Sequence, residues 1–407
     1  MDGPWTRIEV GLVLQGGGAL GAYEWGAIDT LFGLMDDVEA QGTPIALKAV
    51  TGVSIGAING ACIVGATDRH DGLRRLAALW NDLKLETPFQ GRIDLSSFGL
   101  PSIAPGRDLS LWGLPGFYVP RPDLWNMLRW TSFYDTRPLE QTLRNHVSFA
   151  NINASPTTFV VTAVDVEFGL LKRFRNKPLS AARQAKKTAK HQSEEQNEVV
   201  SFEPLHIMAS GSLAPQFPWT EIKKRLYWDG GIVDNTPLGD AMEAFSDDNQ
   251  VYRLLIVMNL YPLTARKPAN LLDVNDRVHE LSYGNRLRQD RAAAKRINKL
   301  ARTIELLAAK LHNENVPLGR ELEDCIDDAS QFKIAKIVDI DFQSVPGGEP
   351  AAGVNDAEGL RDFTPATVDW RRAKGAERAE ADLKPVLEAA GFLPKQPAQQ
   401  MPAPTES

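Results

Sequence analysis

Cysteine is almost missing from this chain: Cys62 and Cys325 are the only two among 407 residues. They cannot form a disulfide framework and show no metal-ligand spacing, so a reducing, cytoplasmic setting is expected. Histidine is scarce as well, with six residues in all, which leaves few general bases of the commonest kind. Positive charge is not in excess. Lys and Arg number 45 against 52 Asp and Glu, a net charge of −7, which excludes a general nucleic-acid binder. The opening MDGPWTRIEVGLVLQGGG lacks a basic stretch followed by an apolar core and a cleavage site, so no secretory signal is expected. No carboxylate, His or Cys cluster has ligand spacing, so neither a metal nor a cofactor is expected.

One stretch lacks charge altogether. Ala49–Thr67 is about long enough to cross a bilayer. Its Gly52, Gly56, Gly60 and Gly65, with Thr51, Ser54 and Asn59, suit a buried strand, turn and helix better than lipid. The chain is expected to be soluble, with any membrane contact peripheral.

What the chain does have is α/β grammar. Ile8–Gln15 reads as a strand, Gly16-Gly17-Gly18 as a loop, and Ala19–Met35 as a helix closed by Asp36-Asp37. Ile45–Val50 is a second strand, leading through Ser54 into a second helix. Leu73–Leu85 is helical by spacing, and Thr158–Val166, Val199–Phe202, Arg225–Asp229, Leu254–Leu260 and Lys333–Phe342 read as strands. His206–Ser210 opens a short helix. Lys172–Lys190 is read as an exposed basic loop. Parallel strands alternating with helices predict a layered α/β sheet. From about Leu281 the pattern becomes a long basic amphipathic helix, which packs on the rest or lies on an anionic membrane. Asp369–Ala390 reads as one more helix. With 43% hydrophobic residues the chain can bury a large core. The expected division is a catalytic domain over 1–265, with an aromatic and Pro-rich insertion at 88–138, a mainly helical extension over 266–392 and a disordered tail over 393–407. The insertion serves either as a cap over an apolar pocket or as packed structure.

Chemistry concentrates in three places. Gly52-Val53-Ser54-Ile55-Gly56 is a G-x-S-x-G pattern in a strand-to-helix context, where a serine is strained outward and small neighbours are needed. Gly16-Gly17-Gly18-Ala19-Leu20-Gly21 fits a loop that holds pyrophosphate. That chemistry wants an acid at the end of the next strand, and Ala49-Val50-Thr51 ends without one. The same glycines suit an oxyanion hole, and that reading wins once Ser54 is put beside them. A serine nucleophile needs a base. Of the six histidines only His206 is near a candidate motif, and a packed or surface role suits it better. Asp229, followed by Gly230-Gly231, is the stronger base, since a dry pocket raises a carboxylate pKa.

Together, GGGALG at 16–21, GVSIG at 52–56 and DGG at 229–231, with the flanks ASGSLAPQFPW and DGGIVDNTPL, resemble the patatin-like lipid acyl hydrolases over about residues 8–262. The resemblance implies a three-layer α/β fold, a lipid ester as substrate, Ser54 as nucleophile, Asp229 as base and Gly16, Gly17 and Gly18 around the oxyanion. Gly21, Gly52, Gly56, Gly230 and Gly231 are then motif positions that let the backbone approach closely. Leu20 stands where many members carry a basic residue. The region from about 270 to 392 is similar to a C-terminal extension in a bacterial branch. Two other readings stay open: a non-catalytic lipid- or protein-binding module on the same fold, and a nucleotide-binding oxidoreductase using residues 16–21.

Overall fold

A computed structural model describes residues 5–87, 97, 109–178, 195–246, 248, 250–261, 267–268, 271–314, 316, 319–320, 322–323, 326, 335–342 and 360–395. In chain order, strand β1 (Arg7–Leu14) leads through a 3-10 turn (Gly18–Leu20) into helix α1 (Gly21–Ala40). Strand β2 (Ile45–Gly52) leads through Ser54 into α2 (Ile55–Val64), and α3 (Arg69–Leu83) follows. A short hairpin of β3 (Val119–Pro120) and β4 (Tyr134–Asp135) encloses a 3-10 helix, Leu124–Arg129. Then come α4 (Arg137–His146), α5 (Phe149–Ala154), β5 (Thr158–Asp165), β6 (Leu171–Arg175), β7 (Glu195–Val199) and α6 (Pro204–Ser210). The chain continues through β8 (Thr220–Ile222), β9 (Arg225–Asp229), α7 (Leu238–Glu243), β10 (Val251–Asn259), α8 (Leu271–Asn313), β11 (Lys336–Asp341) and α9 (Pro365–Ala389).

The main sheet runs β11-β10-β1-β2-β5-β6-β7, parallel from β11 to β5. β6 turns back against β5, and β7 runs with β6. Strands buried on both faces need cover on both, and the two cores supply it. Alternate residues of β1 (Ile8, Val10, Leu12, Leu14) join the larger core with α1, α2 and α3. Val13 points the other way, into a smaller core with Leu238, Ala241 and Ala294 from α7 and α8. The fold is therefore three-layered, helices on either side of a mostly parallel sheet.

The residues beyond 265 do not stand apart from this sheet. β11 extends it beside β10, and α9 packs along α1. Two glycines allow that packing at backbone distance. A Cβ on Gly26 would lie 1.8 Å from the Arg372 carbonyl oxygen, and one on Gly375 1.9 Å from that of Tyr23. Phe392 closes the region against Tyr252, with ring centroids 5.1 Å apart.

Several boundaries differ from expectation. α1 runs past Asp36-Asp37 to Ala40, and Asp36 accepts from Arg69 of α3 at 2.9 Å. The strand expected at Val199–Phe202 lies earlier, at Glu195–Val199. Most instructive is the basic patch. Its first residues, Lys172, Arg173 and Arg175, are buried in β6 and not exposed in a loop, since acids neutralise them: Glu198 for Lys172, Asp234 and Asp240 for Arg173, and Asp240 and Glu243 for Arg175. Its remainder from 179 to 190 lies outside the described residues, as do the tail from 396 and much of the insertion before 109. The basic face of α8 meets acids as well, with Arg291 and Lys295 at 3.1 and 3.2 Å from Asp339 of β11. Residues 49–67 form the end of β2, the turn and α2 inside the larger core. Among the described residues no helix is long and apolar enough to cross a membrane.

Candidate active site

One edge of β5 brings the two ends of the site together. Gly52, the last residue of β2, pairs with Val161, and Asp229, the last of β9, pairs with Ala163. β2 runs parallel to β5 and β9 antiparallel, so their C-terminal ends meet head to head across Thr162. Ser210, the last residue of α6, fills the gap. Its hydroxyl donates to the Thr162 carbonyl at 2.7 Å and accepts from the Ser54 amide at 2.9 Å.

Ser54 has φ 53° and ψ −124°, a left-handed conformation that a non-glycine residue holds only when its surroundings over-determine it. The surroundings here are glycines. A Cβ on Gly52 would sit 2.6 Å from the Gly56 carbonyl oxygen, and one on Gly56 2.6 Å from the Leu14 carbonyl. Helix α2 can start this close to β1 and β2 only because both positions are bare. Gly230 answers the same need on the other side, where a Cβ would meet the Thr162 oxygen at 2.4 Å.

The Asp229 carboxyl is buried and accepts the Gly231 amide at 2.8 Å. Burial pushes its pKa up to about 7, while the hydrogen bond from Gly231 and the neighbouring Ser54 hydroxyl act in the opposite direction. A carboxylate poised near neutrality beside a hydroxyl is suited to take its proton. Histidine is absent from this arrangement. His206 is the reciprocal half of the capping box that starts α6, its Nδ1 accepting the Glu203 amide at 3.1 Å, and its ring is edged by Phe174 and Phe202.

The glycine loop between β1 and α1 is held from three sides. The Gly16 amide donates to Asn235 Oδ1 at 3.0 Å, and Asn235 Nδ2 donates back to the Gly16 carbonyl at 3.1 Å. The buried Tyr261 hydroxyl donates to the same carbonyl at 2.6 Å. Gln15 is clamped likewise, its amide donating to Glu24 Oε1 at 2.7 Å and its Oε1 accepting Leu260 N–H at 2.8 Å. Gly16 therefore has no spare donor. Among the described residues, the amides of Gly17, Gly18 and Ile55 make no hydrogen bond within the chain, and all three residues line one cavity with Ser54 and Asp229. Gly18 has φ +53°, and a Cβ there would lie 2.4 Å from the Leu360 carbonyl oxygen.

That cavity measures about 440 Å³, within the range of small-molecule sites. Its walls are mostly apolar, built from Phe117, Tyr118, Tyr134, Leu213 and Phe217. Aromatic pairs such as Tyr118–Tyr134, 4.7 Å between centroids, and Tyr118–Phe217, 5.1 Å, knit the wall together. The region beyond residue 265 contributes Tyr283, Leu360, Arg361 and Phe363. Arg361 is the only cation among the described lining residues, and Asp229 the only carboxylate. Among the described residues no group of His, Cys, Asp and Glu is arranged to hold a metal ion.

Sequence reasoning left out Ser210, Asn235, Tyr261 and Glu24 as parts of this machinery. Ser210 and Asn235 lie within flanks that carry the family resemblance, so the stretches were visible but not the contacts. Glu24 carried a signal of its own, an acid inside the apolar run Ala22-Tyr23-Glu24-Trp25. It is buried, bonded to Gln15 N–H and at 2.9 Å to Asn59 Nδ2, and burial raises its pKa to about 8.

A family model described as Patatin-like phospholipase matches residues 12–242, more than half of the chain. No curated protein matches it. Among solved structures it is similar to VipD from Legionella pneumophila, with 13% identity, a TM-score of 0.34, and coverage of 92% of this chain and 66% of that one. It is also similar to the ExoU–SpcU heterodimer of the Pseudomonas aeruginosa type III secretion system, with 13% identity, a TM-score of 0.26, and coverage of 80% and 65%. The chain thus spans just under two thirds of the length of either.

Proposed function

Because the chain belongs to the family of patatin-like phospholipases, we propose that it is a serine-dependent lipid acyl hydrolase working through a Ser54–Asp229 dyad. One observation carries this reading: Ser54 with its positive φ, the buried Asp229 carboxyl with its pKa pushed up to about 7, and Gly17 and Gly18, whose amides make no hydrogen bond among the described residues, line one largely apolar cavity. In the proposed reaction the Ser54 hydroxyl attacks the ester carbonyl carbon while Asp229 takes its proton. Negative charge develops on the carbonyl oxygen, where the Gly17 and Gly18 amides and that of Ile55 at the start of α2 offer donors. Collapse expels the alcohol, which receives the proton from Asp229, and leaves an acyl ester on Ser54. Water then attacks this ester as Asp229 again accepts a proton, and the fatty acid departs with Ser54 restored.

Gly16 plays a different part from its two neighbours in this scheme. Its amide is spent on Asn235, so it anchors the loop and does not bind the oxyanion. The reading is tested by incubating the wild-type chain and Ser54→Ala with a fluorophosphonate probe and with short-chain and phospholipid esters. Labelling and turnover are expected in the wild type only. Equal turnover in the Ser54→Ala protein would overturn the reading, and wild-type protein that neither labels nor turns over would point to the binding-module alternative.

A further inference from the structure

The insertion has two faces of opposite character. Its inward residues Phe117, Tyr118 and Tyr134 are wholly or partly buried in the cavity wall. Its outward ones are bare: Trp125 is 87% exposed, Trp112 78% and Leu128 100%, with Met127 and Phe133 also exposed. Isolated exposed apolar side chains are ordinary, but a group of large ones in one short segment marks an interaction surface. The segment 109–133 carries only three charged residues, Arg121, Asp123 and Arg129. Two of these are spent on each other, Arg121 on Asp123 at 2.8 Å.

The tip is presented on a fixed base. β3 and β4 close the hairpin, and the Phe133 and Tyr134 amides donate to the carbonyl of Gln216, a residue of the cavity wall. Arg121 lies over the Trp130 ring, 5.4 Å from its centroid. The 3-10 helix Leu124–Arg129 thus carries Trp125, Met127 and Leu128 outward from the rim. Leu111 and Phe133 line the cavity while Trp112 beside them is exposed. Phe133, both exposed and part of the cavity lining, brings apolar surface from the outside to the mouth.

We infer that the exposed face of 109–133, with Trp112, Trp125 and Leu128 at its centre, docks the protein on a lipid bilayer and aligns the cavity mouth with the hydrocarbon. The choice of partner rests on the lipid-ester reading above. An acyl chain leaving a bilayer meets water unless an apolar path joins membrane and cavity, and this surface is such a path. Tryptophan is suited to the interfacial depth, where its ring is apolar and its N–H is still wet. A chain of net charge −7 gains nothing from the general attraction of anionic lipid, so apolar insertion has to supply the binding.

The test uses the full chain in the Ser54→Ala background, so that vesicles are not consumed. Sedimentation with phosphatidylcholine vesicles, and tryptophan quenching by brominated acyl chains, should both report binding. Replacing Trp112, Trp125 and Leu128 together by Ser should lower the partition coefficient by about tenfold or more and abolish most of the quenching. In the otherwise wild-type chain the same triple change should slow hydrolysis of vesicle lipid while leaving a soluble short-chain ester within about twofold, which also shows that the variant folds. Unchanged vesicle binding by the variant, or no binding by the parent, would overturn the inference. A concentration-dependent dimer that the triple change dissolves without affecting vesicle binding would assign the face to a second copy and overturn it too. If vesicle binding behaves as expected but no ester is hydrolysed by the Ser54-containing chain, the hydrolase reading fails and the docking face stands.

Discussion

The floor and the rim of the cavity are built on opposite principles. At the floor nearly every polar group has a partner: Ser54 N–H on Ser210, Gly16 on Asn235 from both sides, Asp229 on Gly231. Among the described residues, the amides of Gly17, Gly18 and Ile55, around the proposed oxyanion position, are left without a partner. At the rim the order is reversed. The backbone is tied down, while large apolar side chains stand in water. Saturated hydrogen bonding gives a floor that cannot adapt, which catalysis by preorganised dipoles requires. Unsatisfied apolar area gives a rim that is incomplete without a partner.

Changes to the floor should break the chemistry and leave surface behaviour intact. The largest effect is expected from Asp229→Asn, which keeps the shape but cannot take a proton. Ester turnover should fall by at least about 10³-fold with fluorophosphonate labelling of Ser54 slowed in parallel, measured on a soluble ester. Next comes pH. Asp229 must be ionised to act, so kcat/KM should decline about tenfold per pH unit on the acid side of a midpoint close to its pKa of about 7; a flat profile from pH 5 to 8 would remove Asp229 from the base role. Asn235→Ala removes both bonds to the Gly16 peptide and should lower kcat by roughly 10- to 100-fold with a smaller change in KM, because the loop loses its anchor while the cavity walls stay.

The smallest effect concerns stability. Glu24, with its pKa raised to about 8 by burial, holds a proton in the folded protein that the unfolded chain releases above the ordinary carboxylate range. Its contribution is therefore full at low pH and is lost as pH rises through about 8. Melting temperature should fall between pH 5 and 9, and Glu24→Gln should flatten that slope. Against these, the rim variant at Trp112, Trp125 and Leu128 should touch vesicle work alone. A floor variant that changed vesicle binding, or a rim variant that changed soluble-ester rates, would blur the contrast between the two regions.

How much of this was legible beforehand differs between them as well. Strand, loop, helix, strand, turn, helix could be read over residues 8–64 because apolar periodicity and paired glycines are local signals. The glycines at 52, 56 and 230 mark close backbone approaches, and those show in sequence as the absence of a side chain. What could not be read was which side chain closes each gap. Ser210 fills the space between strand ends only because β2 and β9 meet on one edge of β5, a fact of topology that no local window contains. Lys172, Arg173 and Arg175 illustrate the converse error. Charge density pointed to solvent, and the acids that bury them come from β7 and from the segment 234–243. In the insertion, aromatic content signalled a pocket or packing, and both occur, sorted by face in a way composition does not reveal.

The Leu360 carbonyl resting against Gly18 sets the size of the working unit. A protein shortened to the stretch that the family model matches would have its glycine loop bare on one flank, α1 stripped of α9, and, with β10 and β11 gone, what remained of β1 left as an unprotected sheet edge open to pairing with other chains. The smallest piece worth expressing therefore runs past α9 to Leu393, which packs on the core, and the region carrying β11 and α9 belongs to the working unit.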